Sequence, residues 1–154
     1  MKLSKLAFLL LTAVLCLSFI CSCDPVYGSV VLTDNSYFDR MIIKDGQVYM
    51  LCCLEFKNKS GGDQSIDVTA MSEEDAENGL LKDRSLELYF IEADSLSKVN
   101  EDNIDQLLYP AGRIEICGHD TIRYYACFVG EHGGGTSKHD RELPHITIAA
   151  RPKQ

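Results

Sequence analysis

The strongest constraint on the fold is the stretch 48–56, in which apolar side chains fall on both faces of an extended chain. Successive side chains of a β-strand point to opposite faces. One face carries Val48, Met50, Cys52, Leu54 and Phe56, and the other carries Tyr49, Leu51, Cys53 and Glu55. Such a strand has no side suited to water, so the stretch predicts a central strand that the rest of the domain covers on both faces.

The same period-two pattern, interrupted by turn residues, continues along the chain, and no amphipathic helix of convincing length is present. Strands are predicted at 29–33, 37–43, 48–56, 64–70, 86–92, 113–117, 121–129 and 143–150. Short strands joined by turns predict an all-β domain, a two-layer antiparallel sandwich of about seven to eight strands, with a small barrel as the alternative.

Several connections between these strands have their own signals. Asp45-Gly46 favours a two-residue hairpin turn, because both positions tolerate positive φ angles. The stretch 71–79 predicts one or two helical turns with Ser72 as the N-cap, and 100–108 predicts a short helical connection. Strands 113–117 and 121–129 are expected to form an antiparallel pair around the turn between them.

The first residues have the pattern of an export signal: Lys2 and Lys5, an apolar run over 6–20, and a break at Asp24-Pro25. The sequence Ile20-Cys21-Ser22-Cys23 resembles the lipobox of bacterial lipoproteins. This resemblance implies that the signal peptide 1–22 is removed and that Cys23 becomes the lipidated N-terminus of a linker, 23–28. An ordinary secretory signal and an uncleaved anchor helix are the alternatives.

Charge restricts the partners of this chain. The sequence has 15 lysines and arginines against 23 acidic residues, a formal net charge of −8, and the expected cleavage removes two of the lysines. Nucleic acid is disfavoured as a partner because phosphate binding needs a basic surface. The negative charge also repels anionic lipid headgroups, so an acyl chain is expected to hold the protein to a bacterial membrane, with the outer membrane favoured.

Three segments resemble an immunoglobulin-like family. Residues 55–60 are similar to the strand end and Asn-Lys turn of bacterial immunoglobulin-like lipoprotein domains, and 109–112 resembles the Pro-Gly step before their later strands. Residues 120–127 resemble an antibody F strand, with Tyr125 two positions before a cysteine. The resemblance implies an immunoglobulin-like sandwich over 29–150, followed by a tail, 151–154.

Four cysteines follow the linker, and an exported protein favours disulfides. Cys52 and Cys53 are adjacent in an extended run, so their side chains cannot both enter one core. The immunoglobulin-like architecture implies that Cys52 and Cys127 face each other across the core as a possible disulfide. Cys53 with Cys127, Cys53 with Cys117, and a fully reduced state remain open.

The chemical motifs predict neither a catalytic residue nor a metal or cofactor site. His119, His132, His139 and His145 lack the compact spacing of metal ligands. The acidic stretch 73–79 fails the calcium-loop pattern and is read as an exposed turn. The glycine-rich stretch 133–138 lacks the spacing of a phosphate loop, and no set of nucleophile, base and orienting residue can be assembled.

These observations predict a lipid-anchored protein of the cell envelope that binds or braces another envelope protein, or a glycan, without catalysis. Long loops often carry binding, so the loop 130–142 is the expected contact surface. Its polar residues are Glu131, His132, Lys138, His139 and Arg141. The candidates for aromatic contacts with the partner are Tyr37, Phe38, Tyr109, Tyr124 and Tyr125. The acidic balance supports an alternative, an exported inhibitor of a cationic cell-wall hydrolase, and a metal-dependent enzyme is a third hypothesis.

Overall fold

The computed structural model describes residues 28–136 and 141–153 as a curled β-sheet with short helical segments between strands. The signal peptide 1–22, Cys23, Lys138 and His139 lie outside the described residues, so the expectations placed on them stay predictions. The elements are β1 (Val30–Leu32), β2 (Tyr37–Lys44), β3 (Gln47–Asn58), β4 (Gln64–Met71), α1 (Glu73–Glu77), β5 (Ser85–Ile91), a 3₁₀ helix (Ala93–Lys98), α2 (Ile104–Leu107), β6 (Tyr109–Pro110), β7 (Ile114–Ile116), β8 (Thr121–Glu131) and β9 (His145–Pro152).

β3 lies at the centre of the sheet, as the stretch 48–56 predicts. Along one edge it pairs with β8, from Gln47 opposite Glu131 to Lys57 opposite Thr121. Along its other edge it pairs with β2 and then with β1, so two shorter strands share one long partner. All residues of 48–56 are buried. The prediction of a central strand that is covered on both faces is confirmed.

The sheet curls where β5 passes from one neighbour to the next. Ser85 and Leu86 pair with the end of β4, whereas the rest of β5 pairs with β8. β4 also pairs with β9 along its whole length and with β7 at its beginning. All of these pairings are antiparallel, and the predicted all-β class is confirmed. β9 continues to Pro152, so the predicted tail, 151–154, begins inside a strand.

The inner face of the curled sheet encloses the main core, a cluster of buried apolar side chains. Phe56 of β3 and Phe128 of β8 lie within it and are fully buried. They share the cluster with Ile66 of β4 and with Ile114 and Ile116 of β7. Removing a side chain of this size from water stabilises the fold by roughly 1.5–3 kcal/mol. The main core therefore joins the two ends of the sheet.

A second, smaller cluster lies on the outer face of the sheet, and we call it the outer cluster. Its buried members are Tyr49, Leu51, Ile91, Val99, Ile104 and Cys127. Val99 and Ile104 belong to the connection between β5 and β6, which contains the 3₁₀ helix and α2. This connection is the cover over the outer face of β3. Among the described residues, no helix has the length and apolar content to cross a bilayer.

The local turn and helix predictions are confirmed. Asp45 and Gly46 adopt φ angles of 49° and 77° in the hairpin between β2 and β3. α1 begins after Ser72, which occupies the N-cap position, and Gly79 has a φ of 80° just beyond the helix. The hydroxyl of Ser72, however, donates to the Asp75 carboxylate at 2.5 Å, and makes no capping hydrogen bond to a backbone N–H.

The predicted pairing of 113–117 with 121–129 is wrong. β7 pairs with β4, whereas β8 pairs with β3 and β5. Gly118, in the turn between β7 and β8, packs closely on Gly61: a Cβ at position 118 would lie 2.3 Å from the Gly61 carbonyl oxygen. This contact with the turn after β3 places β7 beside β4, so the turn carries the chain across the domain and does not close a hairpin.

The disulfide between Cys52 and Cys127 is not formed, and the four cysteines of the described residues are free. The expectation that they face each other across the core is wrong, because β3 and β8 are neighbours in the sheet. Leu51 is opposite Cys127, and Cys52 is opposite Ala126. Cys52 therefore points into the main core and Cys127 into the outer cluster. Side chains on opposite faces of a sheet cannot be bridged without movement of the backbone.

Asn58, at the end of β3, is fully buried and ties the following turn to β7. Its Nδ2 donates to the carbonyl oxygen of Gly62 at 2.8 Å and to that of Cys117 at 3.1 Å. Its Oδ1 accepts hydrogen bonds from the backbone N–H of Ser60 at 2.9 Å and from the Ser60 hydroxyl at 2.7 Å. The side-chain amide thus acts as donor and acceptor in one buried network.

We predict that Asn58→Asp lowers the free energy of unfolding by about 3 kcal/mol, because the buried carbonyl groups lose their donor and face a carboxylate. Chemical denaturation measures this loss. Gln106→Glu is the matched control, since it makes the same chemical change at an exposed position of α2. A loss of stability at Asn58 no larger than that of the control would show that the Asn58 amide does not tie the turn after β3 to β7.

Candidate functional site

The two ends of the predicted binding loop, 130–142, lie against the segment 75–82. At the first end, Glu131 forms an exposed ion pair with Lys82, and Lys82 N donates to Glu131 O at 2.9 Å. His132 forms an isolated bridge with Leu81, and its Nε2 lies 3.1 Å from the Gly135 carbonyl oxygen. Glu131 and His132 are therefore engaged within the domain.

The glycines that follow His132 allow close packing of backbone on backbone. A Cβ at Gly133 would lie 2.4 Å from the Gly79 carbonyl oxygen, and a Cβ at Gly135 would lie 2.6 Å from the Gly79 carbonyl carbon. Gly133 N and Gly135 N donate to the carbonyl oxygens of Leu80 and Gly79 at 2.8 and 2.9 Å. The glycine run thus binds the connection between α1 and β5.

At the other end of the loop, Arg141 forms a buried ion pair with Asp75 of α1. The two side chains are 11% and 6% exposed. The Asp75 carboxylate also accepts the hydrogen bond of Ser72, and the Arg141 guanidinium lies 5.8 Å from the centroid of the Phe38 ring. Arg141 therefore connects α1 with β2, an edge strand of the sheet.

A cavity of about 680 Å³ lies beside this ion pair. Residues 71–75 and Asn78 line one side, and Arg141, Glu142, Leu143 and His145 line the other. The end of β4 and the beginning of β9 hold the two sides together, since Met71 pairs with His145. Only Met71 and His145 of the lining lie in strands, and the other lining residues belong to α1 and to the segments that flank the two strands.

The rim of this cavity is acidic. Glu73, Glu74 and Glu142 are exposed around it, and the buried Asp75 is matched by Arg141. Glu73 also forms an ion pair of 3.4 Å with Arg84. The negative potential of such a rim attracts cationic groups and disfavours anionic ones.

We predict that Asp75→Leu lowers the free energy of unfolding by about 3–5 kcal/mol, because the largely buried Arg141 keeps its charge and loses the Asp75 carboxylate. The double variant Asp75→Leu/Arg141→Met removes both charges and should recover part of that loss in denaturation experiments. Asp67→Leu serves as the control, since it breaks a largely exposed pair with Arg151. Equal costs at positions 75 and 67 would contradict a structural role for the buried pair.

Glu55 forms a second polar network, on the outer face near the end of β3. Hydrogen bonds from Asn35 and Arg123, at 2.8 and 2.6 Å, and from the Thr33 hydroxyl, at 2.8 Å, lower the pKa of the Glu55 carboxyl from 4.5 to about 2. Because the pKa is lower in the folded protein, the carboxylate stabilises the fold above pH 4.5, and this contribution is lost as the pH falls toward 2.

We predict that Glu55→Gln lowers the melting temperature at pH 6, and that the difference from the wild-type protein shrinks steadily between pH 4.5 and 2. Thermal unfolding across this pH range measures the effect. Glu101→Gln, at an exposed position of the β5–β6 connection, controls for the loss of one negative charge. A difference that stays constant down to pH 2 would contradict the lowered pKa.

The structure thus brings only part of the predicted contact surface to the cavity. Arg141 lines it, whereas Glu131 contacts Lys82 and His132 contacts Leu81 and Gly135. Lys138 and His139 lie outside the described residues. The reading of 73–79 as an exposed turn is wrong for Asp75, which is 4% exposed. The spacing of Ser72 and Asp75 resembles a capping pair, but the sequence holds no signal that joins Asp75 to Arg141.

The predicted aromatic residues do not form one site: Tyr109 and Tyr124 both contact Phe90, whereas Tyr37 and Tyr125 both pair with Cys53. Tyr37 is 50% and Tyr109 is 42% exposed, on different strands of the sheet. Phe38 and Tyr124 pack against the main core, where Tyr124 stacks on Phe90 with 4.8 Å between ring centroids. Tyr125 packs against the outer cluster. These rings form no common surface at the cavity.

Within 28–136 and 141–153, no group of three or more histidine, cysteine, aspartate or glutamate side chains is arranged to hold a metal ion. Comparisons of the chain with protein-family models, curated proteins and solved structures found no match. The assignment of a function therefore depends on the leader sequence, the cavity and the charge of its rim.

Proposed function

We propose that this protein is a lipid-anchored, non-catalytic binding module of a bacterial cell envelope, and that the cavity beside Asp75 and Arg141 receives its partner. The single observation that carries this proposal is a polar cavity where the end of β4 meets the beginning of β9, with the ion pair of Asp75 and Arg141 in its wall. In concave binding sites, a small number of fixed polar groups orients the bound molecule. The partner is an envelope protein or a glycan.

The proposed anchor rests on the leader. A basic start, an apolar run and the Ile20-Cys21-Ser22-Cys23 sequence support cleavage before Cys23 and acylation of its thiol. An acyl chain supplies membrane affinity through its buried methylene groups, which the acidic domain cannot supply by itself. The outer membrane is the membrane that we favour.

We predict that the intact mass of membrane-extracted protein equals that of a chain beginning at Cys23 plus its acyl groups. Cys23→Ser should abolish acylation and leave the unprocessed precursor. Cys21→Ser, which changes the neighbouring cysteine in the same way, should be processed normally. Cytosolic protein that keeps Met1 and its whole leader would contradict the anchor, whatever the cavity binds.

We predict that a photo-crosslinking amino acid at Glu142, an exposed residue of the cavity rim, captures a specific envelope component in whole cells. The same amino acid at Lys59, in the turn before β4, is the control. β4 runs from this turn toward Met71 at the cavity, so the two positions lie at opposite ends of the strand. Equal capture from both positions, or none from Glu142, would remove the cavity from the proposal.

The acidic rim favours one second function, inhibition of a cationic enzyme such as a cell-wall hydrolase. Charge steering of this kind weakens with ionic strength. Binding to a basic lysozyme-type enzyme should weaken both in high salt and in Glu73→Gln/Glu74→Gln/Glu142→Gln. Glu92→Gln/Glu101→Gln/Asp94→Asn removes the same number of charges at exposed positions away from the cavity. Equal weakening by both triple variants would indicate net charge alone.

For the fold we propose the finer description of an immunoglobulin-like, two-layer sandwich. Its support is the main core, in which side chains of β3 and β8 meet those of β4, β7 and β9. β5 pairs with both β8 and β4 and so belongs to the boundary between the two layers.

A further inference from the structure

The connection 92–108 leaves the sheet and returns to it at the same place, and we call it the strap. β5 ends at Ile91, and β6 begins at Tyr109. Phe90 pairs with Tyr109, and Tyr89 pairs with Pro110, so the two ends of the strap are adjacent. The strap can therefore move without breaking the pairing of β5 with β8.

The internal structure of the strap is weak by itself. It contains a six-residue 3₁₀ helix and a four-residue α-helix. Helices this short are unstable in water without tertiary contacts. The backbone hydrogen bonds of its turns run within the strap, such as those from Val99 N to Leu96 O and from Ile104 N to Asn100 O. The strap is therefore ordered by its contacts with the sheet.

The underside of the strap is apolar. Val99 is 6% exposed and Ile104 is fully buried, and both lie in the outer cluster with Leu51, Ile91 and Cys127 of the sheet. Leu96, Leu107 and Leu108 pack against the same cluster. The strap thus keeps an apolar part of the outer face away from water.

Polar contacts hold the strap at the side that is far from its two ends. Arg40 of β2 donates through Nη2 to the carbonyl oxygens of Leu96 and Val99, at 2.9 and 3.2 Å. Asp105 accepts a hydrogen bond of 2.6 Å from the Tyr49 hydroxyl and forms an ion pair with Lys44. The three donors lie on β2 and β3, whereas the strap is covalently joined to β5 and β6.

This arrangement has the parts of a hinged cover. β3 and β8 lie between β2 and β5 in the sheet, so the strap crosses both of them. We propose that the strap opens as a unit from its β2 side, while the sheet stays folded, and that its opening exposes the apolar surface around Leu51 and Cys127. Local opening of this kind is expected where a segment has few backbone ties to the body of a domain.

Two cysteines report on this motion in the wild-type protein. Cys127 lies under the strap, whereas Cys52 lies in the main core on the opposite face. Burial raises the pKa of the Cys127 thiol to about 12 and that of Cys52 well above its ordinary range, so both thiols are protected in the closed state. Opening of the strap exposes only Cys127.

The test treats the mature, full-length protein with N-ethylmaleimide in detergent and follows each cysteine by peptide mass spectrometry. We expect Cys127 to react at least about tenfold faster than Cys52, at a rate that is nearly independent of urea below the unfolding transition. Equal rates for the two cysteines, both following global unfolding, would overturn the proposal. Hydrogen exchange offers a second readout, and amides of 93–108 should exchange faster than those of β3 and β8.

Variants of the polar contacts that hold the strap on its β2 side test the direction of opening. Asp105→Asn weakens the contact with Lys44, and we expect it to speed the modification of Cys127 about threefold or more, without a change at Cys52. Glu101→Gln, at an exposed position of the same strap, should leave both rates unchanged. An equal acceleration of both cysteines by Asp105→Asn would show that the strap and the sheet unfold together, and would also overturn the proposal.

Discussion

Burial of β3 on both of its faces is the constraint on which the other elements depend. Its inner face needs the opposing strands β4, β7 and β9, which close the main core, and its outer face needs the strap. A strand with this pattern in an uncovered sheet would expose Tyr49, Leu51 and Cys53 to water. The curl of the sheet and the strap thus both serve to bury the apolar side chains of β3. The polar networks of Asn58, Asp75 and Glu55 form around these two features.

The cavity is a consequence of the same architecture. Arg141 precedes β9 in the chain and lies between Phe38 of the edge strand β2 and Asp75 of α1. A buried ion pair is a costly way to join two elements, because both charges lose their hydration. Its presence beside a polar cavity is compatible with the binding role that we propose, in which a fixed wall matters more than additional stability.

Periodicity predicts eight of the nine described strands, and local turn and capping signals predict the Asp45-Gly46 hairpin, α1 and α2, since each depends on neighbouring residues. The sequence predicts neither β6 nor the 3₁₀ helix Ala93–Lys98. Periodicity also places Cys52 and Cys53 on opposite faces. Periodicity does not specify which strands become neighbours, so the pairing of β7 with β4 and the separation of Cys52 from Cys127 could not be predicted. The same limit applies to the site: the sequence indicates a polar loop residue at Arg141 and an exposed turn around Asp75, and no signal joins these two distant positions.

The long ladder between β3 and β8 has a consequence for how the chain reaches this structure. Gln47 pairs with Glu131, and Lys57 pairs with Thr121, so the longest ladder joins an early part of the domain to a late part. Closing so large a loop is entropically costly before any of its contacts form, and folds dominated by such pairings form slowly. If the chain is exported in the unfolded state, the apolar side chains of β3 therefore stay exposed until β8 pairs with it. Aggregation competes with folding during this interval.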